Sequence, residues 1–303
     1  MGDVLPASVE IVEVGPRDGL QDEPVLVPTD RKLAYIAAAV RAGVRRIEVA
    51  SFAHPTRVPQ MADAEAVIAG LDHADDVLYI GLVMNARGMD RAIASGIGEV
   101  NTVVIVTDSF SQENQGMSSR GAVAMAADVA RRARQSGIRV GVTLSAAFGC
   151  PYEGVVDPDH VVDVATDIAA AGVDELSLAD TIGSAVPNQT EDLTAAVRTA
   201  TGLPVRVHLH NSRNTGLANA VAALAGGATA LDSSLGGIGG CPFAPGATGN
   251  VATEDLAHML ARMGVDTGLD VPALLDAVPL VEKITGHPAV GMLSRAGPFP
   301  RRG

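Results

Sequence analysis

The chain has 303 residues, 47% of them hydrophobic and 19% charged, with a formal net charge of −13. That is the composition of a globular protein with a sizeable core, and its negative balance argues against nucleic acid and anionic membranes as partners. No apolar run reaches the ~18 residues of a membrane helix, the N-terminus lacks the basic-then-apolar pattern of a secretory leader, and Cys150 and Cys241 make no disulfide framework; a cytoplasmic setting is expected.

In chain order, β-branched runs predict strands at Val9–Val14, Val44–Ala50, Val77–Met84, Val100–Val106, Ile138–Ser145, Glu175–Ala179, Val205–His210 and Ala230–Leu235. Between them, stretches such as DRKLAYIAAAVRAG, AVAMAADVARRARQSG and DHVVDVATDIAAAG space apolar residues for one face of a helix. Gly43, Gly96, Gly137 and Gly172 each stand just before the next strand, where a glycine ends a helix in the left-handed conformation. Strands alternating with helices imply parallel pairing through right-handed crossovers, and eight such units fit an α/β (β/α)8 TIM barrel. A doubly wound sheet is the alternative, but its phosphate loop is missing from the first turn, VGPRDGLQ. One domain is expected over residues 1–303: a barrel at about 9–265, then an extension at about 266–303 that holds an extra helix from Val271 and ends in a loose GPFPRRG tail.

In such a barrel the chemistry sits at the C-terminal strand ends. Strand one ends at Arg17 and Asp18, strand two carries Glu48, strand six ends at Asp180, strand seven ends in VHLH, and strand eight runs into a glycine-rich loop closing at Asn250 and Glu254. Residues i and i+2 of a strand share a face, so His208 and His210 point the same way and can grip one ion. A hydrogen-bonded histidine pair is the plainer reading; Asp18 and Asn250 on the same rim favour a metal. Two imidazoles with an aspartate and an asparagine suit Mg²⁺ or Mn²⁺ better than a closed zinc site. Arg17 taken alone would pair with a nearby carboxylate; its place beside a ligand candidate suggests a fixed cation for developing negative charge. Glu48 and Asp180 each interrupt an apolar strand, so each needs a partner: the metal site, Arg17 or a structural ion pair. Cys150 reads as a packed residue.

The motifs VEVGPRDGLQDE, IEVASF with VPQMAD after it, GCPYEG, LSLADTIG, VHLH and GGIGGCPFAPGATGNVATEDL occur in this order along most of the chain. Together they resemble the 3-hydroxy-3-methylglutaryl-CoA lyase family. The resemblance implies Asp18, His208, His210 and Asn250 as ligands of a divalent cation, Arg17 as the enolate-stabilising arginine, and Cys241 as the cysteine of a mobile catalytic loop. It implies active-site support by Glu48, Asp180 and Glu254. It also implies a small-molecule acyl-CoA substrate, a homodimer by analogy, and the cleavage of 3-hydroxy-3-methylglutaryl-CoA that serves leucine degradation.

The chemistry fits independently. A thiol with a pKa near ~8.5 is a far stronger acid than the nascent acetyl-CoA methyl, so Cys241 can protonate the departing enolate. Two departures from the family pattern bear on the substrate. Asn211-Ser212-Arg213-Asn214 replaces Asp-Thr-Tyr-Gly, and Arg57 stands where a tryptophan is usual. A more polar pocket wall and a larger C3 substituent follow as expectations. A Claisen-type synthase is disfavoured because the chain ends soon after the barrel, and a metal-dependent hydrolase because the H-x-H is not on the first strand.

Overall fold

The computed structural model describes residues 5–72, 76–240 and 249–299. Eight parallel strands close into a barrel in sequence order: β1 Glu10–Glu13, β2 Arg46–Ser51, β3 Leu78–Leu82, β4 Glu99–Ile105, β5 Arg139–Ser145, β6 Glu175–Asp180, β7 Val205–Leu209 and β8 Ala230–Ser233. Each overlaps a strand expected from the sequence. The barrel closes where β1 pairs with β8, Glu10 opposite Ala230 through to Glu13 opposite Ser233.

The helices are α1 Thr29–Arg41, α2 Ala64–Ala69, α3 Ala86–Ser95, α4 Asp108–Gln115, α5 Ser119–Gln135, α6 Pro158–Ala169, α7 Pro187–Thr201, α8 Gly216–Ala225 and α9 Thr253–Arg262. The four punctuating glycines all have positive φ, between 70° and 99°, as a helix stop requires. The apolar core lies between the strands' outward faces and the helices, with Ile47, Val100, Val142, Leu176 and Val207 fully buried against helix residues such as Ala126, Ala130 and Val197.

Past the barrel, α10 Val271–Thr285 supplies the extra helix, and a short α11 Met292–Ala296 follows it. Leu274, Val278 and Val281 of α10 pack beside Tyr35 and Ala38 of α1. Of the expected loose tail, residues 300–303 lie outside the described residues. No helix among the described residues is long and apolar enough to cross a membrane.

The inside of the barrel departs from the branched apolar filling common in this fold. Val12, Val14, Ile80 and Ala230 form a small apolar layer, but the floor is charged. Arg46, 2% exposed, donates through Nε to Glu99 at 3.0 Å, through Nη1 to Glu10 and Glu175 at 3.0 and 2.9 Å, and through Nη2 to Glu175 at 2.7 Å. Arg139 lies within 3.6 Å of both Glu99 and Glu175, and Arg206 lies 3.1 Å from Glu175. Burying a carboxylate alone is prohibitive, so these ions are tolerated only together. Arg46→Ala strands Glu99 and Glu175 and is expected to cost about 3–5 kcal/mol, read as a lower urea midpoint with an unchanged m-value.

Candidate active site

The rim begins where β1 ends. Val14 O accepts from the amides of Arg17, Asp18 and Gly19 at 3.2, 2.7 and 3.3 Å, which winds Gly15–Gly19 into one π-helical turn. Such wide turns are characteristic of functional sites, and this one sets two consecutive charged residues over the barrel mouth. Glycine at position 15 is steric: a Cβ would come 1.9 Å from the Tyr35 hydroxyl oxygen. Arg17, 9% exposed, donates through Nε to Glu48 Oε2 at 2.8 Å, through Nη2 to the same oxygen, and through Nη1 to Asp18 Oδ1 at 2.7 Å. Burial alone would lower its pKa, but Glu48 and Asp18 outweigh that and hold it above the usual arginine range. The guanidinium is therefore a permanent charge clamped by two carboxylates, and Glu48 is its partner.

Asp18, His208 and His210 each offer a ligand atom within 4.8 Å of the other two, the one such group among the described residues. The imidazoles share a face of β7's end as expected, with ring centroids 5.1 Å apart. Asn250 is brought to them by the backbone: Asn211 N donates to Gly249 O at 2.7 Å, pairing His210 with Asn250 in a β-bridge. Its amide nitrogen donates to Asp18 Oδ2 at 2.9 Å and to Ile238 O at 3.1 Å. Two acceptors fix the amide's orientation and leave Oδ1 buried with no hydrogen-bond partner; His210 Nδ1 is in the same condition.

Orphaned buried acceptors beside a carboxylate and two imidazoles fit a divalent cation, which would take these lone pairs. Burial pushes the Asp18 carboxyl up, yet Arg17, the two histidines and the Asn250 bond hold it well below the usual range. Burial and the neighbouring His208 push His210 down to about 4, which keeps its ring neutral and able to ligate. Burial also lowers the pKa of His208, but its bond to Asp232 and the Asp18 charge raise it overall.

The other sequence candidates fall into place differently. Asp180 does not meet Arg17: its oxygens accept from Ser184 N at 2.8 Å and Ala185 N at 3.1 Å, so it shapes the turn after β6. Glu254, in the first turn of α9, accepts from Gly236 N at 2.9 Å. Cys150 is buried, with the Thr107 hydroxyl 3.1 Å from its sulfur. Arg57 sits on an exposed turn after β2, while Asn211 and Asn214 line a cavity of about 250 Å³ beside Asn250, with Asp255, Met292 and Arg295.

Cys241 lies outside the described residues, as do the rest of residues 241–248. The segments flanking it are not the free chain that a glycine count suggests. Leu235 N donates to both oxygens of Glu13 at 3.0 and 3.1 Å, Gly236 N is held by Glu254, and Val290 N donates to Gly236 O at 3.0 Å. A Cβ on Gly249 would fall 1.5 Å from Gly239 O. At these positions glycine allows close approach of two backbones.

Sequence reasoning passed over Asp232, Glu13 and Arg206. Asp232 Oδ2 lies 3.1 Å from His208 Nδ1 and so leaves that ring's Nε2 for the site. Its signal was the one that marked Glu48 and Asp180, a lone acid in the apolar strand ALDS. Arg206 stands two residues before His208, and the same-face rule points it to the barrel axis.

A closed parallel barrel with fixed charges and candidate metal ligands gathered at its C-terminal rim is the framework of an enzyme. The sequence matches the HMGL-like family over residues 8–281, and the chain belongs to that family. It is 39% identical to the (R)-citramalyl-CoA lyase of Chloroflexus aurantiacus, over 96% of this chain and 95% of that one. It is 39% identical to a hydroxymethylglutaryl-CoA lyase of Bacillus subtilis, over 93% of this chain and 95% of that one. An HMG-CoA lyase from Acinetobacter baumannii, solved in complex with coenzyme A and 3-methylmalate, superposes with a TM-score of 0.92 at 34% identity, covering 98% of this chain and 97% of that one. The chain is a carbon–carbon lyase.

Glu254 gives a test of the packing behind the rim. Burial, with the nearby charges of Asp255 and Glu13, pushes its carboxyl up to about 7 against the lowering effect of Gly236 N–H. Between the unfolded value of 4.5 and about 7 the folded chain therefore holds a proton that the unfolded chain has released. That contribution to stability is present at low pH and lost as pH rises through the window. Glu254→Gln removes the titration, so wild type is expected to lose about 1–3 kcal/mol relative to the variant from pH 5 to pH 8, measured by urea unfolding at both pH values.

Proposed function

We propose that this chain cleaves 3-hydroxy-3-methylglutaryl-CoA to acetoacetate and acetyl-CoA, using a divalent cation held by Asp18, His208, His210 and Asn250. The observation that carries the reading is the buried, unpartnered Asn250 Oδ1 beside the Asp18–His208–His210 group and next to the clamped Arg17. A Mg²⁺ or Mn²⁺ ion held by these four residues would lower the pKa of the substrate's C3 hydroxyl.

The chain's own residues supply the rest. The hydroxyl proton passes to the Asp18 carboxylate, the C2–C3 bond breaks, and C3 becomes the ketone of acetoacetate. The electron pair of that bond becomes the enolate of acetyl-CoA. Arg17, fixed by Glu48, stabilises the charge on the thioester oxygen. Cys241 then gives its proton to C2 as general acid. Glu48 supports Arg17, and Asp180 supports the site by shaping the β6 rim.

A second reading has support of its own. The citramalyl-CoA lyase relative matches this chain as well as the B. subtilis enzyme does, and a polar wall at Asn211 and Asn214 borders the cavity beside Asn250. In (R)-citramalyl-CoA the carboxylate sits directly on the carbinol carbon, one methylene nearer than in 3-hydroxy-3-methylglutaryl-CoA. The same bond cleavage would give pyruvate and acetyl-CoA.

Incubating the pure protein with Mg²⁺ and each ester, with products read by mass spectrometry, separates the two. Acetoacetate from the first substrate is the expected result, and pyruvate alone would replace the leading reading by the second. A chelator should abolish turnover of either, and Mn²⁺ should restore it; full activity without metal would refute the metal reading. Cys241→Ser raises the donor's pKa by several units, so kcat should fall by a factor on the order of 10²–10⁴ with Mn²⁺ affinity unchanged. Undiminished turnover would remove Cys241 from the mechanism.

A further inference from the structure

We propose that Arg206, in the floor of the barrel, is a positioning residue for the candidate metal centre: it holds Asp232 and, through Asp232, the ring of His208. The inference rests on the reading that the rim binds a divalent cation.

Arg206 is 1% exposed and points into the barrel from β7 two residues below His208. Its Nη1 donates to Asp232 Oδ1 at 3.3 Å, and its Nε lies 3.1 Å from Glu175 Oε2. The other oxygen of Asp232 is the one that His208 Nδ1 meets at 3.1 Å. The carboxylate is thus shared between a cation below and an imidazole above. An acceptor at Nδ1 selects the tautomer that carries its proton there, which leaves the Nε2 lone pair for an ion, and it fixes the ring plane. A carboxylate can do this only if it is itself held. Within the barrel, the side chain that holds Asp232 from below is Arg206, through Nη1 at 3.3 Å.

Arg206 shares Glu175 with Arg46 but differs from it in direction. Arg46 alone bridges Glu99, Glu175 and Glu10, whereas the contacts of Arg206 run upward from Glu175 to Asp232. Among the described residues, Arg206 also leaves both Nε and Nη2 buried without a hydrogen-bond partner, so its one side-chain hydrogen bond is the one to Asp232. A residue kept only for stability gains nothing from that geometry. One that is aimed at Asp232 accepts it as a consequence of its direction.

The experiment is a double-mutant cycle on Mn²⁺ affinity in the metal-stripped protein without substrate, read from the electron paramagnetic resonance signal of free Mn²⁺. Asp232→Asn should weaken binding about 10- to 100-fold, the usual effect of losing an outer-shell partner. Arg206→Gln should weaken it roughly tenfold in the wild-type background, and by less than about twofold when Asp232→Asn is already present, because its route is then gone. Urea unfolding of each variant separates this from general destabilisation: a purely structural role would lower the midpoint and leave Mn²⁺ affinity alone. Should Arg206→Gln fail to fold, Arg206→Lys keeps the charge but loses the planar fork, and is expected to bind Mn²⁺ several-fold more weakly. Wild-type affinity in a folded Arg206 variant, or an equal loss in both backgrounds, overturns the inference alone. No Mn²⁺ binding by wild type overturns the metal reading and this inference with it.

Discussion

The barrel stands on charges buried where an apolar plug is usual. Arg46 reaches Glu99, Glu175 and Glu10 from one guanidinium, Arg139 and Arg206 add to the same carboxylates, and only the last of these points onward to the rim. Ions in a low-dielectric interior fix one another's positions more stringently than aliphatic side chains do, because an unpaired charge costs far more than a void. Strand register follows from that constraint. A one-residue slip of β2 or β7 would turn Arg46 or Arg206 out into the apolar layer between strands and helices. The same register puts Glu48 under Arg17 and His208 over Asp232, so what holds the floor also aims the groups at the mouth.

The architecture was legible in the sequence because it is written in a short-range code. β-branched runs, helical spacing and the four stop glycines each act over a few residues, and all eight strands fall where those signals place them. The resemblance of the motifs gave the family. The rim was legible in part: His208 and His210 through the two-residue period of a strand, and Arg17 and Asp18 through their place at the end of β1. What was not legible is pairing. Nothing local says that Glu48 belongs to Arg17 while Asp180 caps its own turn, since both are single acids in apolar strands. The distinction comes from a 31-residue link in one case and a 4-residue one in the other.

The glycine-rich stretch shows the same limit from the other side. Composition reads as freedom, but a glycine is equally what two backbones need in order to touch. Around Gly239 and Gly249 the second use applies, and Glu13 and Glu254 turn the entrance to residues 241–248 into a fixed frame. Whether a glycine means motion or contact depends on what lies opposite it, which in this segment is supplied by residues more than two hundred positions away as well as by near neighbours.

The closure of the barrel has a consequence for how the protein is made. Asp18 and Asn250, joined at 2.9 Å, are 232 residues apart, and the Thr253 hydroxyl reaches Glu13 across 240. The candidate ligand group therefore has no early form: a nascent chain carries Asp18 from the start, but His208, His210 and Asn250 arrive late. Contacts of such sequence separation form late and slowly. Until β8 leaves the ribosome, β1 is an open edge with buried-type acids exposed, the stage at which such a chain is most open to mispairing or capture by a chaperone. Fragments lacking the final sixty or so residues would keep most of the barrel's helices and strands and yet have no assembled site.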